Sequence, residues 1–474
     1  MKVIKNYLLN SSYQLLMILL PVITIPYISR VLGPTGVGLN TYTHTIIQYF
    51  ILAGSVGIAT YGNREVAYNQ KNKAELSQIF CEIILLRFLT ISGAVAAFCV
   101  FLFFQQQNVQ LYLFQGIALV AAAFDISWYF MGKENFKRIV GRNFLVSLTS
   151  LFCVFFFVKT PADLSKYIMI VTGSTLFGNL SLWPFMKNEL QRPARKLNIG
   201  RHLRPTFMLF LPQIAIQLYL LLNKNMIGIF DSISAVGFFG QSDSIIKLTL
   251  TLVTSLGTVM LPRVSSLYAN GNHRGVLTII RNSFNGMTAL AVPIMFGIMG
   301  ISLNFAPFFF GEKFAEVGLL MLIQAPVIVF IAWSNVFGVQ YLLPLNKLRP
   351  YTLSVVAGAI VNIISNLLLI PVFGVFGAMI STSIAEGTVT GYQFLMIRKE
   401  LAEVELFRGI WKYFLAGFLM FVVVIYLNQR MAMTFLNLVI QIIFGGGCYI
   451  ALNILLRSKM WLDVRLFFKA KTSS

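Results

Sequence analysis

Charge is scarce in this chain, and acidic charge scarcest of all. Only 11% of its 474 residues are charged, with 16 Asp and Glu against 37 Lys and Arg, whereas soluble domains carry about 25% charged residues. So little charge cannot give a globular core a hydrated coat, which excludes an ordinary soluble enzyme. Cysteine is rare too: Cys81, Cys99, Cys153 and Cys448 lie in apolar stretches without C-x-x-C spacing, so neither a disulfide framework nor a metal site is expected. The histidines are His44, His202 and His273, with no H-E-x-x-H and no G-x-x-x-x-G-K-[ST] phosphate loop. Without those signatures no enzyme, no catalytic residue and no cofactor is expected, and any transport must run on a gradient or on the substrate's own free energy.

What fills the chain instead is apolar. Hydrophobic residues make up 57% and mean hydropathy is +0.77; a bilayer core needs roughly 20 apolar residues per helix. Fourteen candidate spans can be drawn: 8–31, 39–62, 78–104, 111–131, 141–159, 165–186, 206–230, 236–261, 276–303, 316–343, 351–371, 375–397, 407–428 and 434–456. Lys2 and Lys5 ahead of the first span read as a retained signal anchor. With the amino terminus inside, basic segments such as NREVAYNQKNK and KNELQRPARKLNIGRHLR follow even-numbered spans, while QQQNVQ and PVFGVFG on the other face are uncharged. The net charge of +21 is then the positive-inside asymmetry, drawn to anionic headgroups rather than nucleic acid. Both termini are expected in the cytoplasm.

The longest connection, 187–205, holds Pro193, Gly200 and Pro205 as breakers and separates two sets of six spans. The organisation expected is an all-α polytopic membrane protein: an N-terminal lobe at 1–190, a cytoplasmic linker at 191–205, a C-terminal lobe at 206–400, and two further helices with a basic tail at 401–474. Laid in register, the Gly36–Ile46 segment falls on Ala235–Ile245, and Arg64 falls on Arg263, which marks the lobes as a parallel, pseudo-symmetric repeat. Pro21 and Pro26 in the first span and Pro212 in the seventh occupy equivalent spans, and each removes a helix hydrogen bond, so they are hinge candidates.

Ionisable groups inside spans cost about 2.5–3.5 kcal/mol each on insertion scales and mark water or a partner. The candidates are Arg30, Glu82, Arg87, Asp125, Lys224, Asp243, Lys247 and Glu386. Arg30, Lys224, Lys247 and Arg87 are taken as cavity cations. Asp125, Asp243, Glu386 and His44 are taken as coupling or gating groups. Glu82 and Arg87 are spaced to neutralise each other in part, Asp243 and Lys247 at i, i+4 to pair directly; His202 and His273, in loops, are expected to be solvated.

The stretch PYISRVLGPTGVGLNTYTHTIIQYFILAGSVGIATYGNREVA at 26–67, after NSSYQLLMILLPVIT, resembles the opening of Wzx-type flippases. These are the polysaccharide transporters of the multidrug/oligosaccharidyl-lipid/polysaccharide exporter superfamily; SWYFMGKENFKRI and LLLIPVFGVFGAMIST are also familial. The resemblance implies two six-helix lobes in a V around a cationic cavity that opens alternately to each side, with two extra helices at the C-terminus. It implies undecaprenyl diphosphate carrying a capsule, O-antigen or exopolysaccharide repeat unit as substrate, in a bacterial cytoplasmic membrane. Arg30 falls where relatives place a cavity arginine. Implied partners are that lipid-linked oligosaccharide, membrane lipids, and the polysaccharide polymerase and glycosyltransferases. The rival readings are a cation-coupled multidrug exporter, which would want an acidic, aromatic-lined pocket, and a membrane polymerase or ligase, which would want a long external loop.

Overall fold

A computed structural model describes the backbone of residues 2–193 and 195–459, and their side chains except at 2–19, 188, 209, 211–213, 215–216, 218–220, 256 and 258–259. Lys2, Lys5 and residues 460–474 of the basic tail therefore lie outside the described side chains, as does the ring of Pro212. Every regular element among the described residues is a helix. Hydrocarbon offers a backbone N–H no partner, and a helix satisfies its own ladder. The fourteen predicted spans fall mainly on helix, with breaks inside 39–62, 111–131, 165–186 and 316–343. Ten helices are long and apolar enough to cross a membrane, or eleven with the bent pair Glu312–Gln324 and Val327–Leu342 as one span.

The chain forms two compact units, Met1–Asn225 and Met226–Ser474. The first contains α1 (Lys2–Ser55), α2 (Ile58–Tyr68), α3 (Lys73–Phe104), α4 (Val109–Ala123), α5 (Ser127–Gly132), α6 (Phe136–Phe157), α7 (Leu164–Leu180) and most of α8 (Gly200–Phe230). α1 carries two of the predicted spans and breaks at Gly33 (φ 68, ψ 178), just before Pro34. The positive φ there is open to glycine at no cost. Pro21 and Pro26 lie inside the helix before this break. The familial segments pack on each other: a Cβ at Gly62 in α2 would lie 2.5 Å from the Trp128 ring of α5, so only glycine lets that ring in. Around this contact gather Tyr61, Val66, Phe80, Tyr129, Phe130 and Trp183.

The second unit contains the end of α8, then α9 (Ile233–Ala269), α10 (His273–Phe310), α11 (Glu316–Gln324) and α12 (Val327–Ser334), which runs on into a π-helical segment (Asn335–Leu342). α13 (Leu348–Phe373), α14 (Val375–Ile397), α15 (Ile410–Arg430) and α16 (Phe435–Leu455) follow. α13 and α14 form a tight hairpin turning at Gly374 (φ 55), where the Asp231 carboxylate accepts from Val375 N–H at 2.7 Å and caps α14.

Each unit carries the same polar clamp. In the first, Lys133 pairs with Glu189 and sits 5.7 Å from the Tyr129 ring centroid; in the second, Lys347 pairs with Glu400 and sits 5.7 Å from that of Tyr341. A left-handed residue neighbours each lysine, Glu134 (φ 55) and Asn346 (φ 58). Arg138 adds a second cation to Glu189 at 3.1 Å, and Tyr341 donates its hydroxyl to Glu400. Against the burial that raises both acids, these partners hold the Glu189 and Glu400 carboxyls below the usual range.

A depressed folded-state value means that the unfolded chain binds the proton more readily. The clamps' contribution is therefore complete above the unfolded glutamate pKa of about 4.3 and is lost as pH falls through the folded values. Glu189→Gln and Glu400→Gln are expected to lower the thermal midpoint of the purified protein at pH 7. The deficit should shrink when melts are repeated below about pH 4. Equal deficits at both pH values would remove the carboxylate charge from the stability of the clamps.

Candidate functional site

The second half of α1 repeats polar residues on one face: Asn40, Thr43, His44 and Gln48, at helical spacing. Gln115, buried on α4, reaches across to them. Its amide donates to Asn40 Oδ1 at 3.2 Å, and its oxygen meets His44 Nδ1 at 3.4 Å. Gln48 Nε2 lies 3.2 Å from His44 Nε2. These contacts are all satisfied by the imidazole tautomer with its proton on Nδ1, which donates to Gln115 while Nε2 accepts from Gln48. One residue on, Tyr49 accepts at its hydroxyl from Asn225 Nδ2 of α8 at 2.9 Å. The neighbouring Lys224 lies within electrostatic reach of His44. His44 itself remains exposed, as does Arg30, three residues ahead of the Gly33 break. The first unit thus carries an amide, hydroxyl, imidazole and ammonium surface on spanning helices.

The remaining acids and bases divide differently from their sequence spacing. Arg87 is buried and does not pair with Glu82. Its Nε donates to Ala122 O at 2.6 Å, and its Nη2 lies 3.7 Å from Asp125 Oδ2, so the ion pair joins α3 to the end of α4. Asp125 also accepts from Ser127 N–H at 2.9 Å, capping the short α5. Asp243 and Lys247 do pair, at 2.7 Å on α9. Glu386 is 8% exposed on α14. On α13, which pairs with α14, Ser354, Asn362 and Asn366 are fully buried, with Asn366 donating to Asn362 at 3.1 Å. Sequence reading had singled out Glu386 alone; the i, i+4 pair Asn362 and Asn366 was the available signal.

Glu82 instead anchors the linker. Its Oε1 accepts from Gln78 Nε2 at 2.7 Å and from Asn198 N–H at 2.9 Å. Its Oε2 accepts from Arg201 Nε and His202 Nε2, each at 2.7 Å. His202 is not solvated as its loop position suggested: it is 2% exposed, and its Nδ1 lies 2.8 Å from the Tyr61 hydroxyl. Burial pushes the His202 imidazole down in pKa, against the pull of Glu82. The neutral ring then donates through Nε2 to Glu82 and accepts at Nδ1 from Tyr61. Gln191 N–H donates to Ser77 Oγ at 2.9 Å, so the connection lies docked along α3.

Residues 3–268 match the family described as Polysaccharide biosynthesis protein, a stretch that contains the opening from which the resemblance was drawn. The chain is similar to the putative O-antigen transporter of Escherichia coli (strain K12), 23% identical over 387 residues that cover 80% of this chain and 93% of that one. It is also similar to the probable low-salt glycan biosynthesis flippase Agl15 of Haloferax volcanii, 25% identical over 167 residues covering 35% of each chain. Among solved structures, lipid II flippase MurJ in an inward closed conformation superposes with a TM-score of 0.74 at 16% identity, over 94% of this chain and 98% of that one. An inward-facing multidrug resistance MATE transporter gives 0.64 at 12% identity, over 81% and 95%. At such identities the likeness is one of fold alone.

Removing a buried, multiply bonded charge leaves its donors without an acceptor, at a cost on the order of 3 kcal/mol. Glu82→Ala is therefore expected to lower the midpoint of unfolding and to free the linker, so that trypsin cuts at Arg195 and Lys196 several-fold faster. Linker cleavage at the wild-type rate would show that the Glu82 contacts do not hold it.

Proposed function

The chain belongs to the polysaccharide biosynthesis protein family, and on that premise we propose that it is a flippase for a lipid-linked oligosaccharide. The cargo is an undecaprenyl-diphosphate-linked repeat unit, carried from the cytoplasmic to the outer leaflet for O-antigen, capsule or exopolysaccharide synthesis. The relatives named for O-antigen transport and glycan flipping support this reading. The observation that carries it is the exposed Arg30 on a spanning helix whose continuation bears Asn40, His44, Gln48 and Tyr49, with Lys224 beside them.

A diphosphate and its sugars cannot cross hydrocarbon bare, because each unsatisfied polar group costs several kcal/mol. Guanidinium and ammonium groups replace the water around the diphosphate, and amides and hydroxyls replace that around the sugar. Alternating access moves this polar path from one leaflet to the other, with the termini in the cytoplasm. Carrying two negative charges outward down a potential of about 100 mV, negative inside, gains roughly 4 to 5 kcal/mol. The rival exporter would draw on acidic groups, and Asp125, the acid nearest in kind, is committed to Arg87 and the α5 cap.

In a strain lacking the native gene, Arg30→Ala at normal membrane levels is expected to lower surface polymer at least tenfold, with the lipid-linked unit accumulating on the inner leaflet. Arg30→Lys should recover part of it. Full surface polymer from Arg30→Ala would take Arg30 out of the transport path.

A further inference from the structure

The register that sets Arg64 on Arg263 singles out an arginine for which the path described above has no use. Arg263 stands on α9 at the rim of a cavity of about 370 Å³ in the second unit, within the roughly 300–1,000 Å³ of small-molecule sites. Thr278, Asn282, Ser283 and Gly286 of α10 line it, with Gln340 of the π-helical segment at its wall. None of its lining residues is acidic. Lys459 adds a second cation at the same place, its Nζ 3.4 Å from Asn282 Oδ1. A Cβ placed on Gly286 would meet none of the described atoms within 4 Å, so the wall there is bare backbone.

Gln340 points to a ligand independently. It is fully buried, and its Nε2 is occupied by Asn335 Oδ1 and Met287 Sδ, each at 3.1 Å. Among the described residues its Oε1 has no hydrogen-bond partner. A buried carbonyl oxygen left without a donor costs about 1–3 kcal/mol, and this one belongs to a π-helical turn, a form that recurs at functional sites. The arginine calls for an anion and the amide oxygen for an O–H.

We propose that this cavity binds a phosphate ester that also carries hydroxyl groups, its phosphate against Arg263 and a hydroxyl donated toward Gln340. Two sources share that chemistry, the glycerol headgroup of an anionic phospholipid and a soluble sugar phosphate. The site lies in the second unit and does not depend on the flippase reading.

The test uses the purified full-length chain and two probes. Native mass spectrometry after equilibration with equal phosphatidylglycerol and phosphatidylcholine reports retained headgroups; titration of phosphatidylcholine nanodiscs with glucose 1-phosphate reports the soluble source. At least one probe is expected to bind, and to bind at least tenfold more weakly to Arg263→Gln and to Gly286→Leu, which fills the open space without removing a charge. Arg263→Lys should retain most of the binding. The probe that responds identifies the source. Failure of both probes, or equal binding by wild type, Arg263→Gln and Gly286→Leu, overturns the proposal; Gln340→Leu is a supplementary variant and is not needed for the decision.

Discussion

A hydrocarbon slab supplies no hydrogen bonds, and each polar atom carried into it must bring or find its own partner. The chain meets that demand first in its backbone, by closing helical ladders. Hydroxyls then fold back onto their own helix: Thr24, Ser29, Thr41, Thr43 and Thr45 each donate to the carbonyl four residues earlier. Amides and charges cannot do this alone, so they join helices instead. Gln115 ties α4 to α1, Arg87 ties α3 to the end of α4, and Glu82 draws the whole linker onto α3. Arg30 and His44 differ in staying exposed on a helix long and apolar enough to span.

The same economy shows in what the two units share. Their sequences match at few positions, yet each places a lysine beside a left-handed residue, over a tyrosine ring and against a glutamate 56 residues on in the first unit and 53 in the second. In both, the ring and the carboxylate answer a lysine that the neighbouring left-handed turn sets in place. Where the units differ, one departs from helical geometry with a glycine break in α1 and the other with the π-helical turn before α13.

Some of this was legible from residue order and some was not. Asp243 and Lys247 pair as their i, i+4 spacing implies, because a helix fixes that distance by itself. Glu82 and Arg87 looked like partners for a similar reason, and are not: they face different neighbours, the linker and α4. His202 looked solvated because it sits in a charged loop, but the loop folds back and buries it under Tyr61 and Glu82. The break in α1 at Gly33 carried no such signal: a positive φ leaves the helix there, just before Pro34.

What the amino-acid order determined alone was governed by local chemistry and by the bilayer: helical class, a chain of many apolar spans, and the excess of basic over acidic residues. These follow from hydropathy and spacing, which act within one helix or one turn. Which amide meets which imidazole, which acid holds the linker, and which glutamine is left with an unanswered oxygen were decided only when distant helices packed. Contacts such as Gln115 with Asn40 or Glu82 with His202 join residues far apart in the chain, and no periodicity within a single helix encodes them.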